Sequence, residues 1–220
     1  KPLGMKTKQH AAPDQSPDLF KNPFLNKLTR THIAMPITIF FLYAGGLLFY
    51  TVDKIHLPPV IIVGLFCTGL LLFTFAEYAV HRWVYHPPEG ASQGFVDFTY
   101  KMHGIHHDYP KDKQRLAMPP WLSVLVATTL LFLFKFLLGR YGFSLLAGFL
   151  TGYASYLLVH YVVHMFPMPK NRLRALWVNH AIHHYSEDEI LFGVSSPLWD
   201  YVFGTLPKKD WKEGVTVKKS

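Results

Sequence analysis

The sequence predicts an all-α integral membrane protein whose four transmembrane helices form two hairpins. Three observations carry that expectation. Half of the 220 residues are apolar and 16% are charged, whereas a soluble domain is about one quarter charged. Four stretches, residues 33–51, 60–80, 121–138 and 143–163, are apolar throughout most of their length. Each approaches the roughly 20 residues that a helix needs to cross a bilayer. Finally, the basic residues sort by side once those stretches are drawn as crossings. The length suits a single domain over 1–220.

The elements follow in chain order. The opening "KPLGMKTK" reads as a cloning remnant over 1–4 ahead of a true start at Met5, with no cleavable signal peptide. The first two spans are separated by "VDKIHLPP" and the last two by "GRYG". Linkers this short turn each pair into a hairpin. The N-terminal lead, residues 81–120 and the C-terminal 56 residues then share one side, where they form a helical cap. That side holds 19 of the 22 Lys and Arg, and only Lys54, Lys135 and Arg140 lie elsewhere. Positive charge marks the cytoplasmic face. A soluble protein with four buried helices has no reason to divide its charge so. The same division accounts for the net charge of +8 without a nucleic-acid partner. Cys67 is the sole cysteine and lies in an apolar stretch. It completes neither an intramolecular disulfide nor a thiolate metal site.

Ten of the 13 histidines fall in four clusters. His81 and His86 stand five apart. His103, His106 and His107 spell H-x-x-H-H. His160 and His164 stand four apart, and His180, His183 and His184 repeat H-x-x-H-H. At this histidine content, H-x-x-H-H is expected about 0.04 times by chance, and it occurs twice. His10, His32 and His56 stand alone and read as solvent or interface residues. Positions i, i+3 and i+4 of a helix share a face, so His160 and His164 point together, and His180, His183 and His184 do so if "NRLRALWVNHAIHH" is helical, with Asn171 as its N-cap. All four clusters reach the same predicted membrane surface. Neutral imidazole binds zinc, copper, iron and nickel. Ten ligands are too many for one ion and suit two, at about five each. A pH switch needs fewer histidines, and a proton relay does not need the doubled motif.

The stretches "HGIHHDYPKDKQRLAMPP" and "HHYSEDEILFGVSSPLWDYVFGT" resemble the membrane fatty acid hydroxylase superfamily of histidine-rich di-metal oxygenases. Within it the resemblance is to the fatty acid 2-hydroxylases of sphingolipid synthesis. It runs from "FAEYAVHRWVYH" to Thr205 and takes in all four clusters. It implies a di-iron centre held by the ten histidines, with zinc acceptable in the purified protein and dioxygen as co-substrate. The alpha carbon of a long acyl chain, supplied by a membrane lipid or fatty acid, would be hydroxylated. Relatives often carry a b-type cytochrome domain, for which this chain has neither room nor a His-Pro-Gly-Gly motif. A separate donor is therefore expected, a b-type cytochrome or a ferredoxin-like protein with its reductase. The membrane would be the endoplasmic reticulum in a eukaryote and the inner membrane in a bacterium. One departure is Leu157, which stands where the family pattern suggests an acidic residue and bears on the substrate mouth. Sterol or carotenoid hydroxylases and desaturases of the same superfamily are the nearest rivals. A metal transporter or zinc hydrolase is a more distant one.

Further residues are expected to support this site. Glu77 lies one turn before His81 in an apolar span. A carboxylate there faces the protein interior and can accept the second N–H of a ligand imidazole. Asp108 and Asp200 are similar candidates, or cap turns. Tyr153 and Tyr156 share the helical face of His160; they line an acyl channel, orient the carboxyl end or simply pack at the interface. Lys111, Lys113 and Arg115 either anchor the membrane face or dock a donor or lipid phosphates. The "FGVSSPLWDYVFGTLP" stretch is expected to close over the site.

Overall fold

The computed structural model describes residues 16–207, so the expectations for Met5, His10 and residues 1–4 lie outside the described residues. Helix α1 (Pro23–Leu28) starts where Asn22 Oδ1 accepts the backbone N–H of Phe24 at 2.8 Å. Helix α2 (Ala34–Tyr50) runs into a π-helical turn over Thr51–Ile55. Helix α3 (Pro59–Val80) begins on a proline, suited to a first turn with unpaired N–H groups, and is extended by a second π turn, His81–Tyr85. Helix α4 (Gln93–Thr99) passes through a third π turn, Tyr100–Gly104, into α5 (Ile105–Asp108). Then come α6 (Pro120–Leu138), α7 (Gly142–Met165), α8 (Arg174–Tyr185) and α9 (Leu198–Phe203). Among the described residues there is no strand.

Helices α2, α3, α6 and α7 coincide with the four expected spans to within one or two residues. By length and apolarity three helical stretches can cross a membrane: Ala34–Ile55, Pro59–Tyr85 and Pro120–Met165. The third counts α6 and α7 together, 46 residues. Straight, it would measure about 70 Å at 1.5 Å per residue. It is not straight. Gly139 takes φ +56°, a short 3-10 turn follows over Gly139–Tyr141, and the rings of Phe134 and Phe149 meet at 5.9 Å. The chain thus folds back on itself.

Helix α7 is the centre of the bundle, with α2, α3 and α6 around it. Phe40, Ala44 and Leu47 of α2 and Ala127 of α6 pack with Leu146, Leu150, Ala154 and Leu157 of α7. The contact with α3 is closer still. A Cβ on Gly69 would lie 2.0 Å from Leu145 O, and one on Gly148 2.0 Å from Phe66 O. The two backbones touch, the small-residue packing that membrane helices use where lipid supplies no hydrophobic drive. Outward, the helices show Leu42, Phe49, Val60 and Phe136, each at least 70% exposed. An apolar perimeter of this kind suits lipid rather than water. The C-terminal ends of α3 and α7 lie at one end of the bundle, and α5, α8 and the loop 190–197 gather over them.

Candidate metal centre

The ten clustered histidines form two groups of five. The first is His81, His86, His103, His107 and His183; the second is His106, His160, His164, His180 and His184. Within each group the candidate ligand nitrogens all lie within 4.8 Å of one another. His32 and His56 stand apart, each beside its own helix end.

Local structure explains the grouping. His81 and His86 are five apart, a spacing that an α-helix does not bring to one face. The π turn between them does, because its repeat is i to i+5, and their rings lie 5.2 Å apart. His160 and His164 are one α-helical turn apart on α7, with Nε2 atoms 3.2 Å apart. The H-x-x-H-H arms correct the sequence reading. Their three rings do not serve one centre together. His103 and His107 face the first group while His106 turns to the second; His180 and His184 face the second while His183 turns to the first. Each group therefore takes a pair from a long helix, a pair from one arm and a single ring from the other.

The geometry fits metal ions. His103 Nε2 lies 3.0 Å from His81 Nε2 and 2.9 Å from His107 Nε2. In the second group the successive Nε2 separations are 2.9 Å (His106–His160), 3.2 Å (His160–His164) and 2.7 Å (His164–His180). Nitrogens about 2.1 Å from a shared ion, at right angles, would be about 3.0 Å apart. A ring nitrogen has one proton or one lone pair, so His103 Nε2 cannot satisfy two like neighbours by hydrogen bonding; one cation can. Burial, then the neighbouring imidazoles, holds His103, His106, His180 and His184 well below the usual imidazole range. The rings are neutral at pH 7, the form that binds metal. Other orienting contacts come from behind. His81 Nδ1 donates to Phe192 O at 2.6 Å and His183 Nδ1 to Ile190 O at 2.7 Å, which leaves Nε2 of each for the centre.

The carboxylates act at one remove. Glu77 reaches no histidine, contrary to the expectation. Its Oε1 accepts the N–H groups of Val194 (2.7 Å) and Ser195 (2.8 Å), and its other oxygen accepts the Ser195 hydroxyl. The physical reason is demand: the loop 191–195 is buried and its N–H groups need acceptors. Asp200 takes the next pair, Phe192 N at 2.8 Å and Gly193 N at 2.9 Å, together with the Thr205 hydroxyl. Burial pushes its carboxyl above the usual range, against those hydrogen bonds. Asp108 instead accepts from the Tyr100 hydroxyl on an exposed surface. Arg115 is no free docking residue, since it donates to Thr29 Oγ1 and Pro17 O.

A cavity of about 500 Å³ leads to the histidines, within the ordinary range for small-molecule sites. Lys101 and Arg115 are among its lining residues, and Phe40, Phe73, Leu130 and Phe149 line it inside the bundle. His81, His103, His106 and His160 are in its wall, so both groups face it. So are Tyr153, Tyr156 and Leu157; the Tyr156 ring stacks on His160 at 5.5 Å. Tyr85, which sequence reasoning passed over, stacks on His103 at 4.8 Å and lines the same cavity. As expected of it, the "FGVSSPLWDYVFGTLP" stretch lies over the site, with Phe192 against the rings of His81, His86 and His183.

Comparison with known proteins agrees with this picture. The chain is 37% identical over 153 residues to the fatty acid 2-hydroxylase of Mus musculus, covering 68% of this chain and 41% of that protein. It is 34% identical over 207 residues to the ceramide very long chain fatty acid hydroxylase scs7 of Schizosaccharomyces pombe, covering 90% of this chain and 57% of that protein. The dihydroceramide fatty acyl 2-hydroxylase FAH2 of Arabidopsis thaliana is 31% identical, with 88% of this chain and 81% of that protein covered. The chain thus spans about half the length of the first two relatives. A solved structure, full-length scs7p with only its hydroxylase domain visible, superposes with a TM-score of 0.77 at 31% identity, over 86% of this chain and 71% of that one. The model of the fatty acid hydroxylase family matches residues 66–205, and the chain belongs to that family.

Proposed function

We propose that this chain hydroxylates the 2-position of long-chain fatty acyl groups, the activity for which its relatives are named. The observation that carries the reading is the course of the cavity. Apolar side chains of α2, α3, α6 and α7 line it together with His81, His103, His106 and His160. An acyl tail drawn into the bundle leaves the first carbons after the carboxyl group against His81, His103, His106 and His160. The hydroxylated carbon is then near the head of the chain rather than midway along it. The ten histidines would hold two ions, iron in the working enzyme, which supply the activation of dioxygen. The chain's own work is to fix the rings, keep the acyl chain in a dry apolar channel and aim one carbon. Tyr156 holds the His160 ring flat against its own, and Tyr153 continues the channel wall.

In this reading α6 and α7 are separate crossings, so that the protein spans the bilayer four times. The histidine end then faces the cytoplasm, where the basic residues gather, and a separate redox protein delivers electrons there. The test is lipid mass spectrometry of cells that express the chain or its His106→Ala variant. Expected are 2-hydroxyacyl lipids with the native chain and none with the variant or without dioxygen. Hydroxylated sterols or carotenoids in their place would overturn the acyl assignment. Product formed without dioxygen would overturn the oxygenase one.

A further inference from the structure

The two histidine groups are equal in number and unequal in support. Two of the five rings in the first group, His81 and His183, are tied through Nδ1 to carbonyls of the loop 190–192. Two carboxylates hold the chain that continues from it, Asp200 of α9 at Phe192 and Gly193 and Glu77 of α3 at Val194 and Ser195. Asp200 is fully buried and Glu77 nearly so. The loop has no slack: a Cβ on Gly193 would lie 2.1 Å from Ser196 O and 2.7 Å from Asp200 Oδ2. In the second group, by contrast, His180 Nδ1 and His184 Nδ1 have no hydrogen-bond partner, and a backbone hydrogen bond at Leu116 reaches His160. A groove of about 480 Å³ reaches His164, His180 and His184 between Met168 and Trp177. No ring of the first group lines that groove.

We infer that the two metal positions are inequivalent: the first group retains its ion, the second exchanges its ion through the groove, and Glu77 and Asp200 are positioning residues for the first. The reasoning is local chemistry. An imidazole that donates its second N–H to a fixed carbonyl is held in one tautomer and orientation and is the more basic ligand; loss of such a partner typically weakens metal binding about 10- to 100-fold. The second position has fewer constraints and an additional route to solvent. This inference rests on the two-ion reading above.

The test follows metal loss. Full-length protein in detergent is loaded with iron(II) or zinc, mixed with excess chelator, and sampled for bound metal by mass spectrometry. Expected is one equivalent lost at least about 10-fold faster than the other. His184→Ala should abolish the fast phase and His183→Ala the slow one. Glu77→Gln and Asp200→Asn keep the shape and should speed the slow phase alone by about 10- to 100-fold. Ser195→Ala, which deletes one hydroxyl, should speed it less and serves if the carboxylate variants do not fold. Two equivalents leaving in a single phase, or variants that speed both phases alike, would overturn the inference and spare the two-ion reading. Failure to bind two equivalents would overturn both.

Discussion

The arms on α5 and α8 share the spelling H-x-x-H-H and serve opposite groups. His103 and His107 go to the first group and His106 to the second; on α8 the pair, His180 and His184, goes to the second group and the middle ring, His183, to the first. The lesson is that one helical turn keeps partners together, while the ring one residue short of a turn is aimed at the neighbouring centre. A repeated motif thus builds two centres by crossing over, and each centre draws on three of the four clusters: both arms and one long-helix pair. The symmetry stops behind the rings, where only the first group has the clamped loop.

The sharpest way to break this comparison is to change adjacent residues. His106→Ala and His107→Ala should each lower bound metal from about two equivalents toward one, from different groups, and the double variant should approach none. Metal quantification checks this, and hydroxylation should fall at least about 100-fold in each. A smaller effect is expected from Gly193→Ala, whose added Cβ must push the loop away from Asp200. First-group affinity should drop about 10- to 100-fold with the second group unchanged, as read by metal titration. Gly148→Leu would force α3 from α7 and part His81 from His160. A loss of about 2–4 kcal/mol is expected from such an overpacked contact, measured as thermal unfolding in detergent. The smallest effect belongs to Asp108→Asn, whose partner Tyr100 is exposed. Stability and metal content should change by no more than about 0.5 kcal/mol and a few per cent.

Much of this was legible from residues alone. The helix ends agree because an apolar run bounded by Pro, Gly and charge has little choice. The ten histidines were conspicuous because the doubled motif is improbable by chance. The target of Glu77 was not legible. Its partners are 117 and 118 residues away, and a carboxylate beside a ligand helix looks the same whether it meets a ring or a loop N–H. Nor was the π turn between His81 and His86, since five-residue spacing takes a shared face only when the backbone rewinds. Leu157 shows a third limit: its departure from the family pattern was visible, and only the fold shows it buried in the cavity wall.

By itself, then, the sequence determined the helical class, the apolar stretches, the charge asymmetry and which ten imidazoles gather. These are properties of composition and short-range spacing, where backbone hydrogen bonding and side-chain periodicity act within a few residues. Tertiary structure alone decided how the rings divide, which carbonyls steady them and where the cavity runs. Those outcomes depend on ring orientations and on hydrogen-bond demand between segments more than 100 residues apart, which no local pattern encodes.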